Sequence, residues 1–139
     1  MGTRAIYQFH DGDDECFVYK HYDNYPEGAV HFIEDAKSMA WKLPRFEADE
    51  FAAAFVAANK NRKGGEVRLI SHHLKSEDEI LKEHHWCDYH YVIHFDKTIG
   101  DLWVEVWESV YQKDGSTKWS EVWVGTHTEM MEKYGRGAA

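Results

Sequence analysis

The chain has 139 residues, 43% of them hydrophobic and 15% aromatic, which excludes a disordered chain and suits a single domain over residues 1–139. Its formal charge of −9 argues against direct binding to a nucleic-acid backbone, although an acidic protein can compete for a basic, nucleic-acid-binding partner. No segment approaches the ~18 apolar residues that span a bilayer, so no membrane partner is expected.

Arg4–Phe9 and Cys16–Tyr22 alternate as strands do, around a polar loop His10-Asp11-Gly12-Asp13-Asp14, and predict a hairpin. Asp23 or Asn24 then offers a helix cap, ahead of Pro26. Val30, Ile33, Ala36, Ala40 and Trp41 fall near helical spacing over Ala29–Trp41, with Leu43-Pro44 as the stop. The clearest helix is Glu47–Lys60: Phe51 and Phe55 stand four apart among alanines, and Gly64-Gly65 end it. Glu66–His73 reads as a strand. Ser76-Glu77-Asp78-Glu79 is a capping box that opens one or two turns through Leu81. Asp88–Asp96, Leu102–Tyr111 and Lys118–Gly125 are rich in β-formers. Thr126-His127-Thr128-Glu129 is a second capping box, opening a terminal helix that Gly135 closes. The expected fold is α+β: an antiparallel sheet of five to six strands, two helices on one face and a short C-terminal helix.

Within the last strands the motif Trp-x-Glu-x-Trp occurs twice, at Trp103-Glu105-Trp107 and Trp119-Glu121-Trp123. Alternation puts each trio on one side of its strand and leaves Leu102, Val104, Val106, Val122 and Val124 for the core side. A loop of Lys113-Asp114-Gly115, with Gly in the left-handed position, places Glu121 opposite Trp107 and Trp123 opposite Glu105. A loop of Lys97–Gly100 likewise sets His94 beside Trp103 and His90 beside Trp107. One face then carries Trp103, Glu105, Trp107, Trp119, Glu121, Trp123, His90 and His94, more aromatic area than water normally meets.

Three uses compete for this face. It can pack against a second copy, the terminal helix or the N-terminal segment; it can grip a different protein, since Trp is enriched where partners dock; or it can stack on a small ligand or glycan. Glu105 and Glu121, diagonal neighbours roughly 7–8 Å apart, overlap the ~6.5–9.5 Å carboxylate spacing of inverting glycosidases. Any two diagonal carboxylates on a sheet would do the same.

Six of the ten histidines lie between positions 72 and 94. His90 and His94 on one strand are roughly 13 Å apart, too far to share an ion. Cys87 reads as a buried apolar residue. A cross-loop pair of His72 or His73 with His84 or His85 stays open, but no cofactor or metal is expected. Nor does any nucleophile elbow, phosphate loop or Cys-x-x-Cys motif occur, and the chain reads as a non-enzyme.

Gly2-Thr3-Arg4 and the segment Tyr19-Lys20-His21-Tyr22-Asp23-Asn24-Tyr25-Pro26-Glu27-Gly28 resemble the opening of small uncharacterised phage and prophage proteins, with Asn24 where Gly is usual. The resemblance covers about the first 28 residues and carries no catalytic residues. It implies a phage-encoded protein acting in the host cytoplasm, with inhibition of a host or defence protein as a natural role. The two cysteines form no disulfide framework, and the N-terminus lacks the apolar stretch of a signal peptide, which also suits a cytoplasmic location. Read from the residues alone, the same segment is a strand-to-helix corner where Arg4, His21, Asp23 and Tyr25 can line a small pocket. The chain is thus expected to be an acidic interaction protein, self-associating or host-binding through its aromatic face; the alternative is a small-ligand or glycan-binding domain, hydrolytic if Trp/Glu or His/Asp groups act.

Overall fold

The structure, a computed structural model, describes residues 3–60, 66–70 and 75–135. Strands β1 (Ala5–His10) and β2 (Glu15–Lys20) form the expected hairpin, paired from Ala5↔Lys20 to His10↔Glu15. Its loop is closed by Asp11, whose Oδ1 accepts from the N–H groups of Asp13 and Asp14, with Gly12 at φ +93. The other oxygen of Asp11 accepts from Ala48 N at 2.8 Å, tying the loop to the start of the second helix. These backbone bonds, Ala48's first, hold the Asp11 carboxyl below the usual carboxylate range.

Helix α1 (Pro26–Met39) begins three residues earlier than the apolar spacing suggests, because Pro26 pre-sets the first turn. The N-cap is Tyr25, without a side-chain cap bond. Asn24, expected as a cap, instead turns inward, fully buried. It accepts from Tyr7 Oη (2.7 Å) and donates to the carbonyls of Thr3, Lys20 and Tyr22, while its own carbonyl accepts from Tyr91 Oη. The corner therefore seals the end of the sheet. Close approach also explains Gly28: a Cβ there would lie 2.2 Å from the carbonyl oxygen of Asp23, itself at φ +62.

Helix α2 (Ala48–Lys60) follows, then β3 (Val67–Ile70), α3 (Glu77–Glu83), β4 (Tyr89–Asp96), β5 (Asp101–Tyr111), β6 (Thr117–Thr126) and α4 (His127–Tyr134). Both capping boxes are made, Ser76 with Glu79 and Thr126 with Glu129. β3 carries the described part of the strand expected over Glu66–His73; His72, His73 and Gly64-Gly65 lie outside the described residues.

The six strands among the described residues join in one sheet, ordered β3-β2-β1-β4-β5-β6. It is mixed rather than antiparallel, because β1 and β4 run parallel, from Ala5↔Tyr89 to Phe9↔Ile93. The hairpin and the meander are each antiparallel, but how two such units join is a long-range choice that strand alternation does not encode. On one face lie α1, α2 and α4, so that three helices, not two, cover it: Tyr7, Phe9, Tyr91, Ile93, Leu102, Val104 and Val106 pack against Val30, Ile33, Phe51, Phe55 and Met130. On the other face α3 buries Ile80 against Ile6, Phe17, Tyr19 and Cys87. Burial pushes the Cys87 thiol up to about 12. Among the described residues no helix is long and apolar enough to cross a membrane.

Candidate functional site

The second face of the sheet, left by α3 only partly covered, holds the polar half of each alternation. In β4 and β5 the expected neighbours meet: His90↔Trp107, Val92↔Glu105 and His94↔Trp103. The connecting loops have the expected lengths, with Gly100 at φ +79 and Gly115 at φ +89 supplying the left-handed residues. From β1 and β2 the same face receives Gln8, His10 and Glu15. Helix α3 stands over it like one side of a gutter. Between them lies a trough of about 660 Å3, floored by Gln8, His90, Glu105 and Trp107 and walled by Glu15, Glu77, Leu81 and Trp119, with the Asp13-Asp14 loop at one end.

Gln8 organises this floor. Its Nε2 donates to Glu15 (3.0 Å) and to Glu77 (2.7 Å), clipping the first turn of α3 to the sheet across 69 residues of chain. Two carboxylate partners require the amide nitrogen on that side, so Oε1 accepts from His90 Nε2 at 2.9 Å. His90 is therefore the Nε2–H tautomer. Only 3% of it is exposed, and burial pushes its imidazolium down to about 4. The Trp119 ring meets it edge-on at 5.8 Å. Trp107 Nε1 donates to Glu105 Oε1 at 3.1 Å, which fixes the indole beside the carboxylate. Farther along, His10 and His94 stack at 4.7 Å, and burial, then the charge of His10, lowers the His94 imidazolium. Its Nδ1 is buried with no hydrogen-bond partner among the described residues.

The eight residues predicted for this face do not all reach the trough. Glu105, Trp107, Trp119 and His90 line it; Trp103, Glu121, Trp123 and His94 do not. Glu121 lies opposite Trp107 as expected, yet one residue later β6 bulges. The extra residue, Val122, is 46% exposed, and Trp123 then pairs with Val106 instead of Glu105. Trp123 thus crosses to the helix side and meets Tyr134 of α4 edge-on at 6.0 Å. Val124, expected on the core side, faces outward opposite Glu105. The bulge also places the Trp123 ring over Gly125, where a Cβ would lie 2.7 Å from it. Glu121, before the bulge, is exposed and outside the trough lining, so Glu105 and Glu121 do not share the trough.

The corner residues turn to separate neighbours. His21 Nδ1 bonds Tyr19 Oη, Asp23 is exposed, Tyr25 meets Tyr89 edge-on, and the Arg4 guanidinium lies 5.6 Å over Trp86. His84 Nδ1 bonds Ile80 O, while His85 is exposed. Among the described residues no three His, Cys, Asp or Glu side chains gather as a metal-binding group. Sequence reasoning missed Gln8, Glu15 and Glu77. A signal existed for the first: Gln8 and His10 alternate with Ile6 on one side of a strand that is otherwise apolar. Comparison with protein-family models, with curated proteins and with solved structures returns no significant match to this chain.

Proposed function

We propose that this is a small-ligand-binding domain whose site is the trough between α3 and the Trp–Glu face. The observation that carries this reading is the trough itself. Its volume of about 660 Å3 falls within the ~300–1,000 Å3 of small-molecule sites, and it combines two indoles with a few fixed polar groups. A protein-docking hot spot would instead leave the tryptophans on a broad face. Here α3 walls them in, the bulge removes Trp123, and Trp107 and Trp119 are only partly exposed. Binding is favoured over hydrolysis because the carboxylate pair once suited to glycoside cleavage is split between the trough and the open surface.

Native mass spectrometry of gently isolated protein tests this. The expected species is a single chain carrying an adduct of a few hundred daltons, lost in Trp119→Ala and in Leu81→Trp, which fills the trough. A bare homo-oligomer, or a foreign protein bound equally well by Leu81→Trp, overturns the reading. A second reading, self-association, has one observation behind it: β6 is an edge strand showing Val122 and Val124, 46% and 41% exposed. Val122→Lys would dissociate such an assembly.

A further inference from the structure

We infer that the trough selects an organic cation, an alkylammonium or guanidinium group on a short aliphatic stem. This rests on the trough being the ligand site and goes on to its chemistry. Five acidic side chains line it, with no lysine or arginine among them. Charge alone would not make a site, but the hydrogen-bonding groups agree with it. Two of the donors in the lining are already engaged by its carboxylates, Gln8 Nε2 by Glu15 and Glu77 and Trp107 Nε1 by Glu105, while the indole N–H of Trp119 stays open at the wall. Most of what remains open accepts. Each of those three carboxylates keeps a second oxygen without a hydrogen-bond partner among the described residues. His90 adds the independent feature: it lines the trough, is 97% buried and, with its N–H given to Gln8, presents Nδ1 as an acceptor with no partner among the described residues. A ligand that brings N–H donors matches this excess of acceptors.

The indoles fit the same class. Trp107 and Trp119 both line the trough, and an indole attracts a cation through its quadrupole, the more strongly where carboxylates stand alongside. An aliphatic stem suits the apolar Leu81 and Val92 in the same lining.

The test is a fluorescence and calorimetric titration with probes of one length and three charges: 1,5-diaminopentane, 1,5-pentanediol and glutarate, with agmatine for the guanidinium and cellobiose as a neutral stacking ligand. Saturable binding of the diamine or agmatine, weakening as salt is raised, is expected, with no response to the diol or glutarate. Glu105→Gln and Glu77→Gln should each weaken it about tenfold. Leu81→Trp should abolish it, and Glu132→Gln, on the exposed face of α4, should leave it unchanged. A capped Gly-Arg-Gly peptide separates the sources: binding tighter than agmatine assigns the cation to a protein side chain, and weaker binding to a free amine. If cellobiose saturates the trough while the cations do not, or if the Glu→Gln variants bind the cations as well as the parent, the cation assignment falls and the trough survives. If no probe saturates and Leu81→Trp changes nothing, both fall.

Discussion

Buried and neutral, His90 makes the stability of this fold depend on pH in a way that can be isolated. In the native protein the ring donates from Nε2 to Gln8 and is pushed down to about 4, against 6.5 in an unfolded chain. Between those values the unfolded state binds the proton and the native state does not, so stability is full above pH 6.5 and is lost as pH falls toward 4. At about 1.4 kcal/mol per pH unit the full loss is about 3 kcal/mol, of which about 2.5 has gone by pH 4.5. Other ionisable side chains share the trough with the ring: Glu15, Glu77, Glu105 and His10. Comparison with His90→Gln removes their common contribution, since an amide keeps a donor for Gln8 and does not titrate. Urea unfolding followed by far-UV circular dichroism should show the parent losing about 2–2.5 kcal/mol more than His90→Gln between pH 7 and pH 4.5. Equal losses, or a His90 ring proton titrating with its midpoint near 6.5 in NMR, would refute the argument.

Gln8→Leu leaves the His90 N–H buried without an acceptor and two carboxylates without their shared donor; stability should fall by about 1–3 kcal/mol, and hydrogen exchange should quicken first in α3. Unchanged exchange there would show that the clip does not hold α3. Asn24→Ala removes four side-chain hydrogen bonds at a fully buried corner and should cost about 3 kcal/mol in urea unfolding, with ligand affinity unaltered because the trough lies on the other face. Trp123→Ala should cost about 2 kcal/mol through lost packing on Tyr134 yet leave trough binding intact, whereas Trp119→Ala should weaken binding; the reverse outcome would contradict the bulged register.

What could be read from the sequence was local. Both capping boxes formed because Ser76 and Thr126 each stand three residues before a Glu, and the Lys113–Gly115 loop set the β5–β6 register because Gly115 takes a positive φ. Apart from the start of α1 at Pro26, the failures were long-range. Trp119-Ser120-Glu121-Val122-Trp123 alternates like a regular strand, and nothing in it shows that Trp123 is drawn across by Tyr134 of α4. Asn24 has the chemistry of a cap and also of a hub, and only the arrival of Tyr7 and Tyr91 beside it decides for the hub. Glu77 looked like one more solvated acid of a helix start. Its place over Gln8 depends on a crossing that no local pattern records.

That crossing links the two largest departures from expectation. β3 is antiparallel to β2, β2 to β1, and β1 is parallel to β4, so β3 and β4 run the same way. Two parallel strands cannot be joined by a tight turn; the chain has to travel back along the sheet, and it does so through α3. With α1 and α2 already on the first face, packing against Val30, Phe51 and Phe55, the return runs over the second. There Ile80 seals one half of the face and Glu77 and Leu81 stand at the border of the other. Had the meander joined antiparallel to β1, no helix would be obliged to cross and the Trp–Glu face would be flat and open, the docking surface its composition suggests. The parallel join is what makes it concave. The mixed topology and the trough are therefore one consequence of the same chain path, and the chemistry of the site belongs to residues that this path, and no local motif, brings together.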